Sequence, residues 1–206
     1  MRQILPCLVA SATMMVSLSA QAALTSADGG EVVSDSMLNV TWANVIATRL
    51  TWSSTGAAGS AQAWINSLNA ADYAGYNNWQ LATGDGTYTT NGNGTGLSTS
   101  MTANQLGWLF INELGNSYPN HTTLGSAGVA FTTTNTGTGT LPSGYSYTTV
   151  AGVLSINDQI WSGTPYAGNP GGAWYFSAIN SNQGDGESNA FNAMAVRPGQ
   201  VSAKLT

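Results

Sequence analysis

The residues able to do chemistry in this chain are few. His121 is the one histidine, set in Tyr118-Pro119-Asn120-His121-Thr122. A Ser–His–Asp arrangement would have to use it, yet no Gly-x-Ser-x-Gly elbow accompanies it, and it reads as a loop histidine. Paired-carboxylate hydrolysis needs two acids converging in one cleft, and the spacing of the nine acids defines no such pair. The sequence therefore assigns no catalytic residue. Gln183-Gly184-Asp185-Gly186-Glu187 offers oxygen ligands on a flexible backbone, which makes Asp185 and Glu187 weak calcium candidates. The run lacks the alternating acids of an EF-hand and reads as a solvated turn; no metal and no cofactor is expected.

Aromatic residues are the richer signal, with 7 Trp and 8 Tyr. Their faces suit sugar rings, and their amphipathic character suits half-exposed positions. Trp42, Trp79, Trp161 and Trp174 fall in strand-like runs and are expected in the core. Trp52, Tyr88, Tyr118, Tyr145, Tyr147 and Tyr166 lie in loop-like contexts, where contact with a ligand is easier. Tyr166 with Asn169 is the preferred ligand-binding pair, because Thr164 to Gly172 mixes an aromatic with amide groups between two strands. Arg197 ends an apolar run and precedes Pro198-Gly199. A buried arginine needs a partner, so Arg197 is expected to form a structural clamp with a carboxylate, Glu113 first.

The elements that would hold these residues begin after a secretory signal. Arg2 starts it, Ile4 to Leu18 is apolar, and Ala20-Gln21-Ala22 is an A-x-A cleavage site. Residues 1–22 are thus the expected signal peptide and residues 23–206 a single domain. The sole cysteine, Cys7, would leave with the signal, taking disulfides and thiolate chemistry with it. Of the basic residues, Arg49, Arg197 and Lys204 would remain, and the whole chain carries a net charge of −5. So little basic charge argues against nucleic acid and against anionic membranes as partners.

Ser60 caps a predicted helix in which Ala61, Trp64, Ile65 and Leu68 share one face. A second helix is predicted from a Thr102–Gln105 capping box, with Leu106, Leu109, Phe110, Glu113 and Leu114 on one side and Gly115 as its C-cap. Glu31 to Trp42 reads as a hairpin. Ile160-Trp161-Ser162, Ala173 to Ser177 and Phe191 to Arg197 read as strands. Gly84 to Ser100 and Phe131 to Gly144 are Gly/Thr-rich loops. The expected fold is α+β: two short helices, antiparallel strands and long Gly/Thr/Asn-rich loops.

Several runs, in order, resemble one family. They are Leu38 to Trp42, Tyr73-Ala74-Gly75-Tyr76-Asn77-Asn78-Trp79-Gln80-Leu81-Ala82-Thr83, Gln105 to Gly115, Trp161 to Thr164, Ala173 to Phe176, and Ala193-Met194-Ala195-Val196-Arg197-Pro198-Gly199. Together they are similar to the Lcl C-terminal domain family over nearly the whole of 23–206. Gln80 and Ala82 depart from that pattern, which usually has Arg and Pro at these places. The resemblance implies a bacterial protein with a C-type-lectin-like domain, akin to the formylglycine-generating enzymes but without their cysteines. It also implies adhesion, with the founding member binding sulfated glycans as a trimer, and so a possible homo-oligomer. The expectation is a secreted or periplasmic, non-catalytic binding or surface-interaction domain, glycan-binding and adhesion-related, with an extracellular or cell-surface glycan as partner. The alternatives are an extracellular structural or matrix component without a small ligand and, third, a carboxylate- or metal-dependent enzyme.

Overall fold

Nine strands make one open sheet in a computed structural model that describes residues 24–84, 103–114, 131, 140–148, 159–169, 171–177, 183–186 and 189–201. The strands are β1 (Leu24–Ala27), β2 (Val32–Asp35), β3 (Val40–Leu50), β4 (Gln80–Leu81), β5 (Ser146–Thr148), β6 (Gln159–Pro165), β7 (Ala173–Ser177), β8 (Gln183–Gly186) and β9 (Phe191–Pro198). Their order is β1-β2-β3-β9-β6-β7-β8, with β4 also pairing β9 and β5 also pairing β3. The molecule is therefore α+β and rich in strand. One pairing departs from the antiparallel expectation: β9 runs parallel to β6, with Ile160 opposite Asn192 and Trp161 opposite Ala193. The chain's last strand inserts between β3 and β6, and its direction there is set by β3, against which it is antiparallel.

Strand periodicity divides the core into two layers. On β3, Val40, Trp42 and Ile46 face one side while Ala43, Val45 and Ala47 face the other. Leu50 breaks the alternation and joins the second side. The reason is local. Arg49 takes a left-handed φ of 61°, where the β3–β9 register shifts between Ala47 and Leu50. A bulge of this kind re-aims the next side chain.

The second side is covered by helix α1 (Ala61–Ala70). Ser60 Oγ accepts from Ala63 N at 3.2 Å, so the cap is the predicted one. Ala61, Trp64, Ile65 and Leu68 are buried, as their spacing predicts. The first side is covered by a short α2 (Gln105–Gly107) that widens into a π-helix over Trp108–Glu113. Here Leu114 N donates to Leu109 O at 2.9 Å, a five-residue step. The cap is also different from the expected box: Asn104 Oδ1 accepts from Gly107 N at 3.0 Å. Gln105 instead accepts from Thr83 N at 3.0 Å, tying the helix to the end of β4. Thr102, Gly115, the signal segment 1–22 and most of the two Gly/Thr-rich loops lie outside the described residues. Among the described residues no helix is long and apolar enough to cross a membrane.

Candidate functional site

The turn joining β6 to β7 carries the aromatic and amide pair picked out by sequence. Tyr166 N donates to Gly172 O at 3.1 Å, Asn169 N to Tyr166 O at 3.0 Å, and Gly172 N to Asn169 O at 3.0 Å. The Asn169 side chain closes the turn further, with Oδ1 accepting from Gly171 N at 3.1 Å. This leaves the carboxamide nitrogen directed by a rigid turn. Tyr166 meets Trp174 edge to face, with ring centroids 4.8 Å apart and planes at 83°. All three residues are half-buried. Gly168 has a steric role here, since a Cβ on it would come within 2.8 Å of the Tyr166 ring. Trp174, expected in the core, is thus the half-exposed partner that the sequence reading overlooked. Its place beside Tyr166 follows from the turn, which brings the end of β6 over the start of β7.

Trp52 goes the other way. Expected at a loop surface, it is buried, with its ring 6.1 Å from that of Trp161. Phe191 and Tyr175 extend the cluster, at 4.6 Å and 6.3 Å from Trp161 and 4.8 Å from each other. Tyr145 and Tyr147 are half-buried at the margin of the α1-side core, and the Tyr147 hydroxyl donates to Pro142 O at 2.9 Å. Burial pushes the Tyr147 phenol up. Tyr88 and Tyr118 lie outside the described residues, as do His121 and Glu187.

The clamp between Arg197 and Glu113 does not form. Along β9, Phe191, Ala193 and Ala195 face α1, and Arg197 continues that alternation. Glu113 belongs to the helix on the opposite face of the sheet. Arg197 is half-buried and is held by other means. Its Nε donates to Asn78 Oδ1 at 2.8 Å, and its guanidinium carbon lies 4.2 Å from the centre of the Tyr76 ring. Tyr76 in turn donates to Asp28 Oδ2 at 3.2 Å. Burial and then the Asp28 charge raise the Tyr76 phenol, while Arg197 opposes them. Replacing Arg197 with Met should cost about 1 kcal/mol or less, the scale of a cation–π contact at a partly exposed site. Urea denaturation checks this; a loss of about 3–5 kcal/mol would indicate a buried ion pair instead.

Glu113 is only 7% exposed, and neither carboxyl oxygen has a hydrogen-bond donor in good geometry. Asp35, on the same side of the sheet, is the acid that bears on it. Burial first, then the Asp35 charge and contact, push its pKa up to about 8; the nearby Trp108 indole pulls weakly the other way. Asp35 is fully buried and well supplied with donors. Its Oδ1 accepts from Met37 N at 3.0 Å and Leu38 N at 2.9 Å, and its Oδ2 from Trp42 Nε1 at 2.9 Å. Two carboxyl groups are thereby brought together across the first core layer. They sit under the helix, in the packed interior.

The run around Asp185, expected as a solvated turn, is strand β8 over Gln183–Gly186, with Asp185 opposite Trp174 on β7. Among the described residues no group of three or more His, Cys, Asp or Glu side chains is placed to hold a metal ion. No family model, no curated protein and no solved structure matches this chain.

Proposed function

We propose that this chain is a secreted or periplasmic, non-catalytic binding domain that takes neutral glycans at the β6–β7 turn. In this reading residues 1–22 are removed on export, and the fold is the C-type-lectin-like one implied by the resemblance to the Lcl C-terminal domain family. The observation that carries the proposal is the half-exposed, edge-to-face pair of Tyr166 and Trp174 beside Asn169, on a turn closed by four hydrogen bonds. Aromatic faces give a sugar ring an apolar surface, and a fixed amide orients its hydroxyls. The charge favours neutral over sulfated chains. Sulfate recognition calls for clustered Arg and Lys, while Arg197 is already engaged by Asn78 and Tyr76 and the net charge is −5.

The test is a glycan array on the exported protein, with and without calcium, followed by affinity measurements on hits. Trp174→Ala should weaken binding about tenfold or more, the worth of one aromatic contact plus its area. Gly168→Ala should also weaken it, by pushing the Tyr166 ring aside without deleting it. Heparin should bind weakly at any salt concentration. Full neutral-glycan affinity in Trp174→Ala protein would remove this site, and an array with no hits would favour the structural or matrix reading.

A further inference from the structure

We propose that Glu113 and Asp35 form a proton-bound latch, which holds the π-helical segment Trp108–Glu113 against the β2–β3 turn and loosens as pH rises. The geometry supplies the reason. Asp35 ends β2, and its two oxygens accept from Met37 N, Leu38 N and Trp42 Nε1, which fix the carboxyl in place. Glu113 arrives from a different element, buried beside Asp35, and the Trp108 indole is a nearby donor that does not reach it in good geometry. Ionising Glu113 would strand a charge in the core beside Asp35, so the stable closed state keeps the proton on Glu113. The protonated carboxyl then donates to Asp35. The latch spans the first core layer at a place where the helix is already irregular.

The core layer on this side of the sheet is apolar, with Leu38, Val40, Trp42, Leu109, Phe110 and Leu114 among its members. Among the described residues Asp35 is the charged group that raises Glu113, and the Trp108 indole acts in the opposite direction. No lysine, arginine or histidine among the described residues meets Glu113, so proton loss leaves a repelling pair with nothing to neutralise it.

The direction of the effect follows from linkage. When the latch opens, Glu113 meets water and returns to its ordinary value of 4.5, against about 8 when closed. The closed form therefore keeps a proton that the open form loses, and its advantage is complete below the open-state value. That advantage falls as pH rises and is exhausted once pH passes the closed-state value. Opening should rise by up to tenfold per pH unit between 4.5 and about 8, then level off.

Hydrogen exchange on the exported protein reads this directly, as protection factors of the amides of residues 108–114 from pH 4.5 to 9.5, corrected for the intrinsic exchange rate. The expected result is protection that declines with pH in the wild type and is flat in Glu113→Gln, whose amide can still donate to Asp35. A flat wild-type profile, or the same decline in Glu113→Gln, would overturn the proposal. Infrared spectroscopy of the wild type is a second measurement that needs no variant. The carbonyl band of an un-ionised carboxylic acid should be present at pH 7 and vanish above about pH 9; its absence at pH 7 would overturn the latch as well.

Discussion

Trp161→Ala should be among the most destabilising single changes in this protein, at about 3–5 kcal/mol. Trp161 is fully buried where β6 meets β9 and β7, and its indole N–H donates to Leu50 O at 2.7 Å. Truncation would empty a volume lined by the rings of Trp52, Phe191 and Tyr175. Those rings are held by other contacts and cannot all close in. It would also leave the Leu50 carbonyl without its indole donor, at a bulge where ladder pairing is already interrupted. Trp161→Phe separates the two effects: it keeps most of the ring and loses the donor, so its cost should be about 1–3 kcal/mol. Urea denaturation of both variants provides the measurement. A loss below about 1.5 kcal/mol for the alanine variant would mean that the cluster repacks and that Trp161 is not the keystone of the α1-side core.

The prominence of Trp161 was legible in the sequence, while its neighbour Trp52 was not. A tryptophan in a strand-like run reads as core, and Trp42, Trp79 and Trp161 each proved buried with an indole hydrogen bond. Trp52 sits in a Ser/Thr/Gly context, and only the β3 bulge at Arg49 turns the chain so that this ring faces inward. Helix α1 was legible because its information is local: a capping serine and four apolar residues at helical spacing. The second helix carried the same local signs, yet its first turn is capped by Asn104 and it then widens into a π-helix. Its first turn is joined through Gln105 to Thr83, a contact made by tertiary folding.

The candidate site was legible in part for the same reason. Tyr166 and Asn169 are close in sequence, so the turn that unites them could be read from composition. Trp174 completes the pair only through strand pairing, with Pro165 opposite Ala173 in the β6–β7 ladder. The failed clamp is more instructive, because the information against it was already present. Phe191, Ala193 and Ala195 alternate toward one face, and counting on by two places Arg197 there as well. What could not be counted was on which face the second helix would lie. Glu113 is buried, and the acid that bears on it is Asp35, from the hairpin before it.

Asp35→Ala is the second large effect, with an expected cost of about 3–5 kcal/mol near pH 6. Three N–H groups would lose one common acceptor, and two of the three bonds are wholly buried. The turn after β2 would lose the bonds that fix Met37 and Leu38, and Trp42 would keep its packing but not its indole partner. Asp35→Asn should recover part of the loss, since Oδ1 can still accept from the turn, while its amide hydrogens would oppose the Trp42 N–H. The pH dependence distinguishes this from simple loss of a buried side chain. With Asp35 gone, its charge and its contact no longer raise Glu113 and burial is the raising influence that remains, so Glu113 should titrate below its wild-type value of about 8. In the wild type, Glu113 contributes stability that is complete below pH 4.5 and lost as pH rises through about 8. The alanine variant has less of that contribution to lose. Its deficit relative to wild type should therefore shrink from pH 5 to pH 9, and it should not shrink when both proteins also carry Glu113→Gln. Urea denaturation of the four proteins at the two pH values forms a double-mutant cycle. A deficit that stays constant with pH would show that Asp35 acts only as the acceptor for the hairpin and that Glu113 does not respond to its charge.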